Sequence, residues 1–260
     1  MIHKTAIIDP KAKISSNVKI GPYTIIGPYV EIDDDVVIQS HVNIAGHTII
    51  GKKNRIYTMA SIGSDPQDLK YKGEKTTLVI GANNTIREHV TINTGTIQGG
   101  GKTKVGSNNL MMIGAHIAHD CIIGNNIVMA NNSAIAGHAE IEDFVIIGAK
   151  CGVQQFTRIG KMAMIGGMTG VLNDVIPYGL SIGNRNFLQG INLIGLRRKD
   201  IPNKEILSLS EAYKEIFKTE NLSKNLLNLD EKFVENYLVK DVIDFINQDK
   251  KRPICTPSLK

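Results

Sequence analysis

From Ile2 to Ile62 every sixth residue is isoleucine, eleven in succession. The phase returns at Ile80, Ile86 and Ile92, shifts once, and then runs through Ile, Val or Met from Val105 to Val171, making 26 hexads in three blocks. A period of six is neither the 3.6 of an α-helix nor the plain two of a sheet. It fits short β segments, each followed by a turn, wound into a coil that takes one aliphatic and one smaller side chain inside each face. The rest of the hexad agrees. The second position is often glycine (Gly21, Gly27, Gly51, Gly124), and the fifth is compact or β-branched (Ala6, Thr24, Val30, Ala60, Ala115, Ala139).

Composition carries the same message: 42% of residues are hydrophobic but 5% aromatic, with 25 glycines and no tryptophan. A narrow coil filled by Ile and Val has little room for an indole. The pattern resembles the left-handed parallel β-helix of hexapeptide repeats, in which three hexads close one triangular coil. Its crossovers are an exception to the right-handed rule. At about 4.8 Å per coil, eight to nine coils make a prism roughly 40 Å long. Two stretches lack the register and are expected to loop out, about 64–79 and 98–104. Loops on a rigid solenoid are natural places for binding residues. The repeat fades after Val171 and Pro177 ends it. Helical spacing follows in Phe187–Arg198, from Pro202 through Phe217, in Leu222–Leu229 and in Lys232–Asn247. The expected class is mainly β, a β-helix over 1–183 with a small C-terminal α-helical domain over 184–260.

The chain has no apolar run near the roughly 18 residues of a membrane span, and no apolar signal core. It is expected to be soluble and cytoplasmic. Its three cysteines form no CxxC, and Cys121 and Cys151 fall on the inward fifth position as core filler. The Asn pairs 125/126 and 131/132 fall at turns, where Asn tolerates a left-handed backbone and can ladder between coils. A net charge of +5 without basic runs interleaved with aromatics excludes a nucleic-acid surface.

Function must come from outward residues that stack between coils. His119, Gly137 and Gln155 are each three hexads apart and occupy the third hexad position, so they form a row, with Asp120 and His138 beside it. An imidazole next to a carboxylate is the best general base available, and the Gly137 N–H, one coil away, can meet a developing oxyanion. That combination fits acyl transfer. Two other readings stay open: a solvated histidine with no chemistry, and a zinc site recruiting His116, His119 and His138 from adjoining subunits in the manner of gamma carbonic anhydrases. His116 lies on the sixth hexad position, away from the row. His3, His41, His47 and His89 are expected at the surface.

Four stretches together resemble the UDP-N-acetylglucosamine O-acyltransferase family that begins lipid A synthesis. They are His116-Ile117-Ala118-His119-Asp120-Cys121, Gln67 through Glu74, Thr96-Ile97-Gln98-Gly99-Gly100-Gly101, and Gly190 through Arg198. The resemblance spans nearly the whole chain. It implies a homotrimer with sites between neighbouring β-helices, moving a (3R)-3-hydroxyacyl group from acyl carrier protein to the sugar 3-hydroxyl. No cofactor or metal is implied, since the phosphopantetheine arrives on the carrier protein. By the same resemblance His119 is the base, Asp120 its orienting group and Gly137 the oxyanion donor. Asp68, Lys70, His138 and Gln155 hold the sugar nucleotide, and Asn192 and Arg198 grip it from across the interface, where a guanidinium fork suits phosphate. Gly167 floors the acyl groove and leaves room for a long chain. Two departures bear on the donor. Asn93-Thr94 stands where many relatives carry an arginine, removing a charge from a donor contact, and Gln154 stands where some have histidine. A related N-acyltransferase with an amino-sugar acceptor and a non-catalytic β-helix scaffold are the remaining alternatives. The scaffold leaves the aligned His119, Gly137 and Gln155 unexplained.

Overall fold

In the computed structural model, which describes residues 1–248 and 251–258, the hexads form a left-handed parallel β-helix with three flat faces. The faces are sheets of nine, eight and ten strands, parallel except for the last strand of the ten, and within the coils successive rungs of each sheet are every third strand of the chain. Most strands are two residues long, and the register couples positions three hexads apart, as in Ile7 with Ile25 and Ile25 with Asn43. The first hexad position turns inward: Ile26, Ile38, Ile44, Ile50, Ile56 and Ile62 are all buried. Each such side chain contributes roughly 1.5–3 kcal/mol by leaving water. Cys121 and Cys151 are buried at the fifth position. A left-handed backbone recurs at the fourth position, including Asp120, Asn126, Asn132, His138 and Phe156. Asn, Asp and His tolerate that conformation best, and no β-branched residue is asked to adopt it.

One corner is polar and buried. Asn54 donates to the carbonyls of Gly51 and Gly81 at 2.6 and 2.7 Å and accepts from the Asn84 N–H at 2.8 Å. Asn84 repeats this one coil on, donating to Gly106 O at 3.0 Å and accepting from the Asn109 N–H at 2.8 Å. Asn109 closes the ladder on Ile127 N–H at 2.7 Å. This column stands at inward positions, and at the 125/126 turn Asn125 also bridges coils, accepting from the Ser107 N–H at 2.8 Å and donating to Asp143 Oδ1 at 3.1 Å. A fully satisfied polar ladder fixes the stacking register, where aliphatic side chains alone tolerate slippage.

Both interruptions leave the coil, and the ladder resumes sooner than the isoleucine phase indicates. The first runs from the strand Ser61–Ser64 to the strand Thr77–Ile80, and the second, holding a 3-10 turn at Ile97–Gly99, ends at the strand Lys102–Val105. In these returning strands Leu78, Ile80, Thr103 and Val105 go inward while Lys102 and Lys104 stay out. Simple alternation thus takes over from the hexad rule at the seam.

The β structure also extends further than expected. Phe187–Ile191 is a strand, antiparallel to Gly179–Ile182, and not the start of a helix. The spacing of Leu188, Ile191 and Ile194 suits a helix in sequence, but the outer edge of this strand is covered by the distant tail, with Leu188 N–H donating to Thr256 O at 2.9 Å. Helix begins only at α1 (Leu193–Arg198), capped by Asn192. Then follow α2 (Asn203–Ile216), α3 (Leu222–Leu227), α4 (Glu231–Val234) and α5 (Tyr237–Asn247). Asn236 splits the expected Lys232–Asn247 helix by capping α5 with its side chain and donating to Glu205 O. Among the described residues no helix is long and apolar enough to cross a membrane.

A buried ion pair ties the helices to the prism. Arg158 Nε meets Asp174 Oδ2 at 2.8 Å, while its other nitrogens reach Gln248 Oε1 and Phe245 O on and beside α5. Replacing Asn84 with Ala strips partners from Gly106 O and the Asn109 N–H in the buried column, and is expected to cost about 2–4 kcal/mol. The exposed Asn17, bonded to Asp35, is the control and should change stability by under about 0.5 kcal/mol as Ala. Urea midpoints of both variants check this, and equal shifts would show that the ladder adds no stability.

Candidate active site

Stacking brings His119, Asp120, Gly137 and His138 to one corner, where the nine-stranded face turns toward the eight-stranded one. The row read from spacing is present in the backbone: His138 N–H donates to His119 O at 3.0 Å and Phe156 N–H to Gly137 O at 3.1 Å. His119 Nδ1 lies 2.8 Å from Asp120 Oδ2. A carboxylate only accepts, so Nδ1 carries the hydrogen and the neutral ring keeps its lone pair on Nε2.

The Asp120 side chain is wholly buried, and the second interruption is what satisfies it. Thr96 donates its N–H to Oδ1 at 2.7 Å and its hydroxyl to Oδ2 at 2.6 Å. Thr103 Oγ1 accepts the Asp120 N–H at 2.8 Å. Gly99 completes the cradle, because a Cβ there would lie 2.0 Å from Asp120 Cγ. Donors converging on both oxygens fix the orientation of the carboxylate. Thr96, Gly99 and Thr103 are not legible from the sequence as a group acting on Asp120.

Gly137 is glycine for a reason that spacing does not reveal. A Cβ would sit 2.5 Å from His119 Cε1 and 2.7 Å from Nε2, closer than van der Waals contact with the ring allows. Its N–H donates to no group among the described residues. His138 meets His119 edge-on with ring centroids 5.2 Å apart, stacks on Phe156 at 4.4 Å, and has Nε2 3.7 Å from Asp120 Oδ2. Burial holds the His138 pKa below the usual imidazole value; Asp120 and Asp68 oppose this, while His119 and Lys251 reinforce it. Phe156 is a further member that the sequence reading does not include, although it lies one whole coil beyond His138 in the same corner column.

The other expected residues divide. Asp68, on the first interruption, is near enough to act on His138 electrostatically. Lys70 is exposed, its N–H bonded to Asp68 Oδ1 at 2.9 Å. Gln155 is exposed on the row, with its carbonyl accepting from Arg252 Nε at 2.9 Å. Asn192 and Arg198 line a separate, mostly apolar cavity of about 700 Å³ with Ile146, Met162, Met164 and Leu180, to which the His119 corner contributes nothing. The Asn192 side chain is engaged locally, accepting from Gly195 N–H and donating to Met162 O. Gly167 is exposed beside Ala149, where a Cβ would make ordinary contact at 3.5 Å. Asn93 and Thr94 are both buried at the root of the first interruption, bonded to Asp65 O and to Thr76 Oγ1, so they brace that loop rather than face a donor.

Of the histidines weighed for zinc, His116 is turned away, its Nδ1 2.7 Å from Thr91 Oγ1. His119, Asp120 and His138 do bring ligand atoms within 4.8 Å of one another. Both Asp120 oxygens, however, are already committed to Thr96. The corner holds an imidazole oriented by a buried carboxylate, with the Gly137 N–H unpaired among the described residues.

Comparison with known proteins identifies the family. Residues 174–255 match the family model described as UDP-N-acetylglucosamine O-acyltransferase, domain 2, and residues 1–34 match the bacterial transferase hexapeptide model. An acyl-(acyl-carrier-protein)–UDP-N-acetylglucosamine O-acyltransferase of Aliarcobacter butzleri is 48% identical over 254 residues, covering 96% of this chain and 96% of that protein. A solved UDP-N-acetylglucosamine acyltransferase superimposes with a TM-score of 0.94 at 41% identity, covering all of both chains. The UDP-N-acetylglucosamine acyltransferase of Campylobacter jejuni does so with a TM-score of 0.93 at 38% identity over 99% of this chain and 100% of that one. With sequence and fold shared along nearly its whole length, the chain belongs to the UDP-N-acetylglucosamine O-acyltransferase family.

Proposed function

We propose that the chain transfers a (3R)-3-hydroxyacyl group from acyl carrier protein to the 3-hydroxyl of UDP-N-acetylglucosamine, in lipid A synthesis. The observation that carries the reading is the buried relay of Thr96, Asp120 and His119, with the Gly137 backbone packed against the imidazole and its N–H unpaired among the described residues. His119 Nε2 takes the proton of the sugar hydroxyl as its oxygen attacks the thioester carbon. The carbonyl oxygen becomes an oxyanion that the Gly137 N–H stabilises. Collapse breaks the carbon–sulfur bond, and the phosphopantetheine thiolate leaves with the proton from His119. Asp120 stays ionised throughout and stabilises the imidazolium. Asp68, Lys70, His138 and Gln155 hold the sugar nucleotide at this corner. Gly167 leaves the acyl groove open to a long chain.

The active unit is a homotrimer, acting in the cytoplasm with no cofactor of its own. Two features support self-association. Asn192 and Arg198, which hold the nucleotide, line a cavity apart from His119, so one chain supplies two half-sites. The outward column of the nine-stranded face reads Ile7, Ile25, Asn43, Ser61, Thr91, His116, Ala134, Gly152 and Gly170, without one Asp, Glu, Lys or Arg. Both other faces carry such residues, among them Glu31, Lys104 and Glu140 on one and Lys19 and Arg55 on the other. A face depleted of charge suits a partner's surface.

Purified protein with radiolabelled UDP-N-acetylglucosamine and hydroxyacyl carrier protein tests the reaction. His119→Ala should fold normally and lose at least about 100-fold in kcat. Wild-type turnover in that variant would refute the mechanism, and about one zinc per site in metal analysis would favour the competing metal reading. Thr96→Val, which removes one donor from Asp120, is expected to lower kcat roughly tenfold while leaving KM within a factor of about two. For the assembly, Gly152→Arg is informative because a side chain there meets nothing within 4 Å in the single chain. Light scattering should give three copies for the wild type and a folded monomer without transfer activity for the variant; a trimeric, active variant would place the interface elsewhere.

A further inference from the structure

The last described segment, 251–258, returns from α5 to the β-helix and is pinned there. Ile254 pairs with Asp174 and Pro257 with Leu188, Cys255 N–H donates to Asp174 O at 2.8 Å, and Ile254 and Cys255 are buried. At its near end the strap reaches the corner column. Arg252 Nε donates to Gln155 O at 2.9 Å, and Lys251 Nζ stands 4.4 Å from the centroid of the Phe156 ring. That ring is stacked at 4.4 Å and 12° on the imidazole of His138. The Phe156 N–H also donates to the carbonyl of Gly137. Asp120, His138 and Phe156 are thus successive rungs of one column, one coil apart, and the strap closes its end.

We infer that Phe156 and Lys251 are positioning residues: the C-terminal strap, through the ammonium of Lys251 on Phe156, holds the His138 imidazole in place and neutral beside the base. The inference rests on the proposed transfer reaction for its consequence but not for its geometry.

His119 and His138 meet in a T-shaped contact and both approach the Asp120 carboxylate. A proton taken up at this corner has two imidazoles to choose from. On His138 it would sit within about 5 Å of the ring that must receive the sugar proton, and would oppose that step. The charged and titratable groups facing His138 are Asp120, His119, Lys251 and Asp68. Both carboxylates favour the proton on His138. Burial is the largest influence against that proton; Lys251 is the cation that adds to it, and its favourable contact with the Phe156 face keeps it there. The ring, for its part, holds the plane of the His138 imidazole, whose Nε2 lies 3.7 Å from Asp120 Oδ2.

The test uses the full-length protein and the variants Lys251→Met, Lys251→Arg and Phe156→Leu. Histidine titration is followed by NMR on ¹³C-labelled protein, with His138→Asn assigning the resonance. Lys251→Met should move the His138 midpoint upward and raise KM for UDP-N-acetylglucosamine about three- to tenfold at neutral pH, the size of one cation–π contact, with kcat less affected. Lys251→Arg should restore both values. Phe156→Leu should raise KM at least about tenfold, since it removes the surface that orients His138. Lys232→Met, a remote lysine over Phe233, is the neutral control. A wild-type midpoint in Lys251→Met overturns the inference, as does a Lys251→Arg variant no better than Lys251→Met. A wild-type protein that transfers no acyl group, yet whose His138 midpoint rises in Lys251→Met, would sink the proposed reaction and leave the strap's hold on His138 standing.

Discussion

Everything in this molecule depends on the equality between three hexads and one turn of the prism. Because each coil bonds to the next at that constant offset, a side chain on one rung has a fixed neighbour on the next. The stacking is held by inward isoleucines, which supply burial without direction, and by the Asn54, Asn84 and Asn109 column, which supplies direction. Only the second kind of contact distinguishes correct register from a slipped one, since a ladder shifted by one coil still buries isoleucine on isoleucine.

A prism so regular is chemically inert, and its activity comes from where the regularity is broken. The second interruption lengthens one coil and commits the added chain to a single carboxylate: Thr96 meets both oxygens of Asp120, and Gly99 leaves the space the carboxylate fills. Without them Asp120 would be a buried charge with one imidazole partner, which is costly. With them it is a fixed negative end that selects the tautomer of His119. The loop therefore acts on the imidazole through the carboxylate.

Part of this was legible in the residues and part was not, for a physical reason. His119, Gly137 and Gln155 align by counting whole coils, because no insertion lies between them. Thr103 and Thr96 precede Asp120 by 17 and 24, distances that match no whole coil, so the same count misses them. Phe156 does lie on the count, one coil beyond His138, and is passed over because an aromatic ring carries no chemistry of its own. The strand Phe187–Ile191 is hidden differently. Its apolar spacing is compatible with a helix, and what makes it a strand is the tail at Thr256 and Pro257, a contact no local pattern encodes.

The corner column shows why a solenoid can hold such a site. Asp120, His138 and Phe156 all have a left-handed backbone, at φ near 60°, which costs an L residue roughly 1 kcal/mol or more. In an isolated loop that cost would be relieved by rearrangement, and the imidazoles would wander. Here each of the three N–H groups is bound by the coil below, to Thr103 Oγ1, His119 O and Gly137 O in turn. The conformation is therefore over-determined. It aims three consecutive side chains out of the same edge, each within reach of the next. Position four of the hexad thus does for this fold what a strained loop does elsewhere: it presents a charge, a ring that can take a proton and a ring that cannot, in fixed order along one line.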